Sequence, residues 1–176
     1  MPGKLILLSC FSLLFGSLLA QKPATNDEEY EKSYKWRTQR EVLYGVYIPK
    51  DLTECFIQLN RLSKEESKNK FRQLPEEDIP TRAFFGLGRW IIHNWGFYGG
   101  SRLTVFMNNL GLFHPDDMAV FIMTAYHRNL NKNKLEVKEL LTTIKANREA
   151  IEQKEKSGGT IIHQETRKRP KPEEGQ

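Results

Sequence analysis

Met118 to Tyr126 is apolar on nearly every side, and that one stretch constrains the fold more than any other. A helix without a polar face cannot lie on a surface; other elements must enclose it. His114-Pro115-Asp116-Asp117 marks its start. Proline suits the first helical turn, and the two carboxylates favour the positive end of the helix dipole. The spacing predicts a central, buried helix.

The surrounding sequence reads as its jacket. Asp51 follows Pro49 and is placed to cap a helix, with Glu54 reaching back three residues later. Leu52, Cys55, Phe56, Leu59 and Leu62 then repeat at i, i+3, i+4 and i+7. Ser63 with Glu66 suggests the same arrangement for a short helix toward Leu74. Pro75 to Pro80 breaks the chain, and Thr81 is the expected cap of a helix carrying Trp90 and Trp95. Gly96 ends that helix and Gly99-Gly100 forms a tight loop. Ser101 caps the next helix, which has Leu103, Phe106, Met107 and Leu110 on one face. A last helix is expected from Lys134 to Lys156, with Leu140, Leu141, Ile144 and Ile151 as its apolar positions. No internal repeat is visible, and 50–156 holds no strand pattern. The prediction is an all-α, compact single domain of five to six helices. Its body spans 47–141, and 134–156 forms a long amphipathic C-terminal helix.

The two ends differ from this body. Lys4 precedes a nearly unbroken apolar run from Leu5 to Leu19, and Ala20 offers a small residue for cleavage. Residues 1–20 thus read as a signal peptide, shorter than the roughly 20 apolar residues of a spanning helix. An exported chain, periplasmic or secreted, is expected, with membrane contact only through the signal before cleavage. Residues 21–46 form a polar leader, ordered only near Val42 to Ile48. Residues 157–176, including Arg167-Lys168-Arg169-Pro170-Lys171-Pro172, have too little apolar content to fold and read as a disordered basic tail.

Of two cysteines in the chain, Cys10 leaves with the signal, so Cys55 has no intramolecular partner. Its place among Leu52, Phe56 and Leu59 indicates a buried thiol rather than a nucleophile. The formal charge of the whole chain is +5, falling by one with Lys4. That mild excess excludes nucleic acid as the expected partner and points weakly to anionic surfaces.

Candidate functional residues concentrate in Phe85-Gly86-Leu87-Gly88-Arg89-Trp90-Ile91-Ile92-His93-Asn94-Trp95-Gly96. Ordinary helix filler does not combine three glycines with two tryptophans. At about 100° per residue, Phe84, Leu87, Gly88, Ile91 and Trp95 fall on one side and Arg82, Gly86, Arg89 and His93 on the other. Trp95 reads as core, its indole donor finding a carbonyl, and Trp90 lies off both stripes. Arg89, Trp90, His93, Tyr98 and Arg102 are therefore the ligand-binding candidates, gripping a carboxylate or phosphate through the guanidinium forks. The same strip would also suit a merely solvated helix face. A second candidate cluster is His114, Asp116, Asp117 and His127. Its spacing fits no zinc signature, and helix capping accounts for the first three, so no metal and no cofactor are expected. No serine nucleophile elbow, phosphate loop or His-Glu-x-x-His motif is present. An enzyme is the less expected outcome. A binding or scaffolding role toward a protein or an anionic envelope component leads. A hydrolase-like use of the His/Asp cluster, or an immunity- or inhibitor-type partner role through 134–156, stands as the alternative.

Several blocks also resemble an uncharacterised bacterial family. They are Tyr47-Ile48-Pro49-Lys50-Asp51-Leu52 with Cys55-Phe56, Gly86-Leu87-Gly88-Arg89-Trp90-Ile91, Asn94-Trp95-Gly96, Ser101-Arg102-Leu103, His114-Pro115-Asp116-Asp117-Met118 and Tyr126-His127-Arg128-Asn129-Leu130. The resemblance covers about residues 47–131 and implies a small helical domain with no assigned activity. The chain departs from it at Ile92-His93, where the family more usually has an arginine and an asparagine, and at Tyr98, which replaces a tryptophan.

Overall fold

The computed structural model describes residues 26–158; the expected signal peptide and most of the expected basic tail lie outside them. Seven α-helices and one two-stranded hairpin make up the regular structure in this range, with a 3₁₀ turn at Glu76–Asp78 and a π segment at Ile79–Gly88. No helix among the described residues is long and apolar enough to cross a membrane.

The central helix is α6, Pro115–Leu130, and Met118, Ala119, Phe121 to Ala125, Tyr126 and His127 are all buried in it. His114 caps it, its ring Nδ1 accepting from the Asp116 amide at 3.3 Å. Four elements pack on α6: α2 (Leu52–Leu62), α3 (Glu65–Arg72), the tryptophan-bearing helix and α7 (Val137–Ser157). Cys55 is a free, fully buried thiol on α2. Burial pushes its pKa well above the ordinary thiol range, which removes it as a nucleophile.

Several sequence expectations are revised. The leader is not featureless: α1 spans Asp27–Thr38. Asn26 caps it, Asp27, Glu28 and Glu29 occupy its first turn, and Lys35 and Arg37 its last. Capping and dipole complementarity form this helix without any buried residue, so it has no apolar stripe to reveal it. A tight antiparallel hairpin follows, β1 (Val42–Leu43) pairing with β2 (Val46–Tyr47). Its Tyr44-Gly45 turn has positive φ at both residues, the twist that suits a two-residue loop. Ser63 does not cap α3; Lys64 precedes that helix without a side-chain bond. Thr81 does not cap the tryptophan helix either, because its hydroxyl donates backward to Asp78 O. The last helix begins at Val137, after Glu136 in a left-handed conformation. Only Leu140 and Ile144 of α7 are buried, while Ile151 is exposed.

The largest departure lies in the glycine-containing helix. Residues Ile79–Gly88 are π-helical and run directly into α4, Arg89–Asn94. The Arg89 amide donates to Phe84 O, five residues back, as the wider turn requires. Buried positions step accordingly from Ile79 to Ala83 and then by five to Gly88. Gly88 is where this helix meets α6. A Cβ added there would stand 3.0 Å from Phe84 Cδ2 and 3.1 Å from Met123 Cε.

Candidate functional site

The site forms around the loop that joins α4 to α5 (Arg102–Asn109). Gly96 and Gly100 both adopt positive φ, which lets the chain reverse twice within five residues. The Phe97 amide donates to Ile92 O at 3.1 Å, and the Phe97 ring is buried. Ser101 and Thr104 close the loop with a reciprocal capping box at the start of α5. Tyr98, between the buried Phe97 and the Gly99-Gly100 turn, has nowhere to go but outward and is 74% exposed. From the other side, α1 leans on the loop. Arg37 Nε donates to Gly99 O at 2.7 Å, and the Tyr34 ring lies where a side chain on Gly100 would stand.

Two hollows open beside this loop. The larger, about 900 Å³, is walled by Tyr30 and Arg37 of α1, by Leu43 and Tyr44 of the hairpin, and by His93 and Tyr98. The smaller, about 430 Å³, is lined by Phe84, Arg89, Ile92, His93, Tyr98 and Asp116. Ile92, His93 and Tyr98 belong to both, so the hollows adjoin along a shared wall.

The π turn explains how Phe84 and Arg89 come to share a wall. Five residues apart, they would diverge by about 140° on an α-helix, but i and i+5 stack in π geometry. Arg89 is exposed, and its side chain has no hydrogen bond or ion pair among the described residues. Asp116 lines the same hollow from α6, and among the described residues no lysine or arginine lies within ion-pair distance of it, although Arg148, bonded to Asp117, feels its charge. Its nearest basic group is His114 Nδ1 at 3.9 Å. That nitrogen accepts from the Asp116 amide and faces Arg148 Nη2 at 3.0 Å.

Of the sequence-derived ligand candidates, Arg89, His93 and Tyr98 are brought together; Trp90 and Arg102 are not. Trp90 is half-buried against the core, its ring meeting the Trp95 ring edge-on at 5.8 Å, and it lines neither hollow. Trp95 is fully buried, but its indole nitrogen has no hydrogen-bond partner among the described residues, contrary to expectation. Arg102 is consumed by its own chain. Its Nε donates to Ile48 O at 2.7 Å, Nη1 to Glu41 at 3.0 Å and Nη2 to Glu54 at 3.3 Å, and the guanidinium stacks over the Tyr47 ring. Glu54 is the hub of this clasp and does not reach back to Asp51 as a capping box would. Burial tends to raise its pKa, but hydrogen bonds from Tyr47, the Lys50 amide and the Lys50 ammonium pull it down to about 2.

The second candidate cluster is not one site. His114, Asp116 and Asp117 sit at the start of α6, while His127 lies thirteen residues on, about 20 Å along the helix. Asp117 is held by Arg148 of α7 through two bonds of 2.7 and 2.8 Å. His127 is buried edge-on against Phe71, with Nε2 at 3.2 Å from Arg72 O. Its neighbour Arg128 bonds both Glu76 oxygens and Leu135 O. Among the described residues no three histidine, cysteine or acidic side chains are grouped to hold a metal ion. Of that cluster Asp116 alone joins the groove; the sequence named it as a candidate but did not group it with Arg89, since it arrives from a different helix. Tyr30, Arg37 and Tyr44 were unforeseen, because the leader offers no apolar pattern.

With this geometry in place, the chain can be compared with known proteins. Residues 48–130 match the family model of a domain of unknown function (DUF6794). The uncharacterised helical family that the sequence blocks resemble is thereby supported, over nearly the same span. All six residues around the smaller hollow fall inside the DUF6794 match, whereas α1 and the hairpin precede it. No curated protein and no solved structure matches the chain.

Proposed function

We propose that this is an exported recognition domain without a catalytic role, which holds a partner of the cell envelope in the groove beside Tyr98. One observation carries the reading. His93 and Tyr98 line both hollows, and in the smaller one they are joined by the Arg89 guanidinium, which has no partner among the described residues. Such convergence of an aromatic ring and an arginine is typical of binding hot spots, and the volumes suit a ligand. The Lys4 and Leu5–Leu19 pattern supports export.

The test is a paired variant, His93→Ala with Tyr98→Ala, examined for capture of partners from envelope extract and for urea unfolding. Both residues are exposed, so the unfolding midpoint should stay put while capture falls. Unchanged capture would overturn the recognition role. Trp90→Ala is the contrast, expected to cost stability through its packing.

A further inference from the structure

The smaller hollow presents a specific charge problem. Arg89 and Asp116 both line it, yet they are not within ion-pair distance of each other, and among the described residues neither forms an ion pair with a lysine, an arginine or another carboxylate. Asp117, the neighbouring carboxylate, is fully engaged by Arg148, so the vacancy of Asp116 is not shared by its neighbour. A simple anion such as phosphate would be drawn to Arg89 but repelled by Asp116. A simple cation would meet the opposite conflict. Opposed charges that each reject one class of monovalent ligand are a selectivity device.

We infer that this compartment binds an α-ammonium–α-carboxylate group, the zwitterionic end of a free amino acid or of a larger molecule that extends into the adjoining hollow. The inference rests on the groove being a recognition site. The Arg89 fork takes the carboxylate by charge-assisted hydrogen bonds. Asp116 accepts from the ammonium, which carries three donors and no acceptor. Phe84, Ile92 and Tyr98 supply apolar wall for the ligand's carbon skeleton. His93 and Tyr98 line the larger hollow as well. On this reading a ligand longer than an amino acid would extend past them toward Tyr30 and Tyr44.

Titration calorimetry of the full chain with four probes tests this. Leucine carries both charges, N-acetyl-leucine lacks the ammonium, leucinamide lacks the carboxylate, and γ-glutamyl-leucine carries the zwitterion on a longer molecule. Leucine or γ-glutamyl-leucine should bind at least about tenfold more tightly than either singly charged analogue, the scale of losing one charge-assisted bond. Binding of leucine identifies a free amino acid as sufficient; preference for γ-glutamyl-leucine identifies the extended source. Arg89→Met should erase the preference over leucinamide, and Asp116→Asn the preference over N-acetyl-leucine. The wild-type selectivity needs no variant and so survives any folding defect. Equal binding of all four probes, or of none at millimolar concentration, overturns the inference. If none binds while the His93 and Tyr98 pair still controls capture from extract, the zwitterion assignment alone falls. If that pair is also without effect, the groove falls with it.

Discussion

Arg102 shows how far a single side chain can mislead when its partners are remote in sequence. It stands in a conspicuous Ser-Arg-Leu block, and its proximity to the glycine loop suggested a ligand role. Its partners Glu41, Ile48 and Glu54 lie 61, 54 and 48 residues upstream, beyond the reach of any local pattern. With its side chain only 14% exposed, the guanidinium acts as a clasp between the hairpin, α2 and α5. Arg102→Met would leave Glu54 and Ile48 O short of a donor. It should lower unfolding free energy by roughly 2–3 kcal/mol, read as a shift in the urea midpoint with unchanged slope. Lysine would not restore the loss, since one ammonium cannot reproduce three directed bonds and a stacked plane. Trp95 and Cys55, in contrast, were correctly placed in the core, because helical periodicity reports burial directly.

At the scale of elements, legibility followed apolar content. The central helix α6 was evident because an all-apolar stretch behind His114-Pro115 admits no other arrangement. Helix α1 was invisible because it buries nothing, so only its charge distribution and its Asn26 cap could have revealed it. The π segment defeated the helical wheel differently. One wider turn moved Phe84 and Arg89 from opposite sides to the same wall, a change that a fixed angle per residue cannot express. Helix α7 illustrates uneven attachment. Its buried contacts stop at Ile144, and further on it is tied by Lys145 to Leu110 O and by Arg148 to Asp117. Arg148→Ala should therefore loosen residues 145–157 while leaving α6 intact. Amide hydrogen exchange should accelerate in that stretch, with a global loss of only about 1 kcal/mol.

For the whole molecule, the paired carboxylates set the acid limit. Glu54 has its folded pKa pulled to about 2, against an ordinary 4.5, and hydrogen bonds from Arg128 lower that of Glu76 as well. A folded pKa below the unfolded one gives stability that is complete above about pH 4.5. That stability drains away as the pH falls toward 2. Urea midpoints should consequently decline through this window, and Glu54→Gln should lower the neutral-pH midpoint while flattening the decline. A midpoint insensitive to acid would contradict the roles assigned to both groups.

The groove itself has two distinct origins along the chain. The charged chamber is assembled wholly from the stretch matching DUF6794, while its vestibule is completed by a polar helix and a two-residue hairpin drawn from upstream. That helix is fastened mainly by one arginine and one tyrosine on glycine backbone. On the proposed reading, exchanging the upstream stretch would redecorate the doorway and leave the grip untouched, so breadth of recognition and strength of holding would be separable.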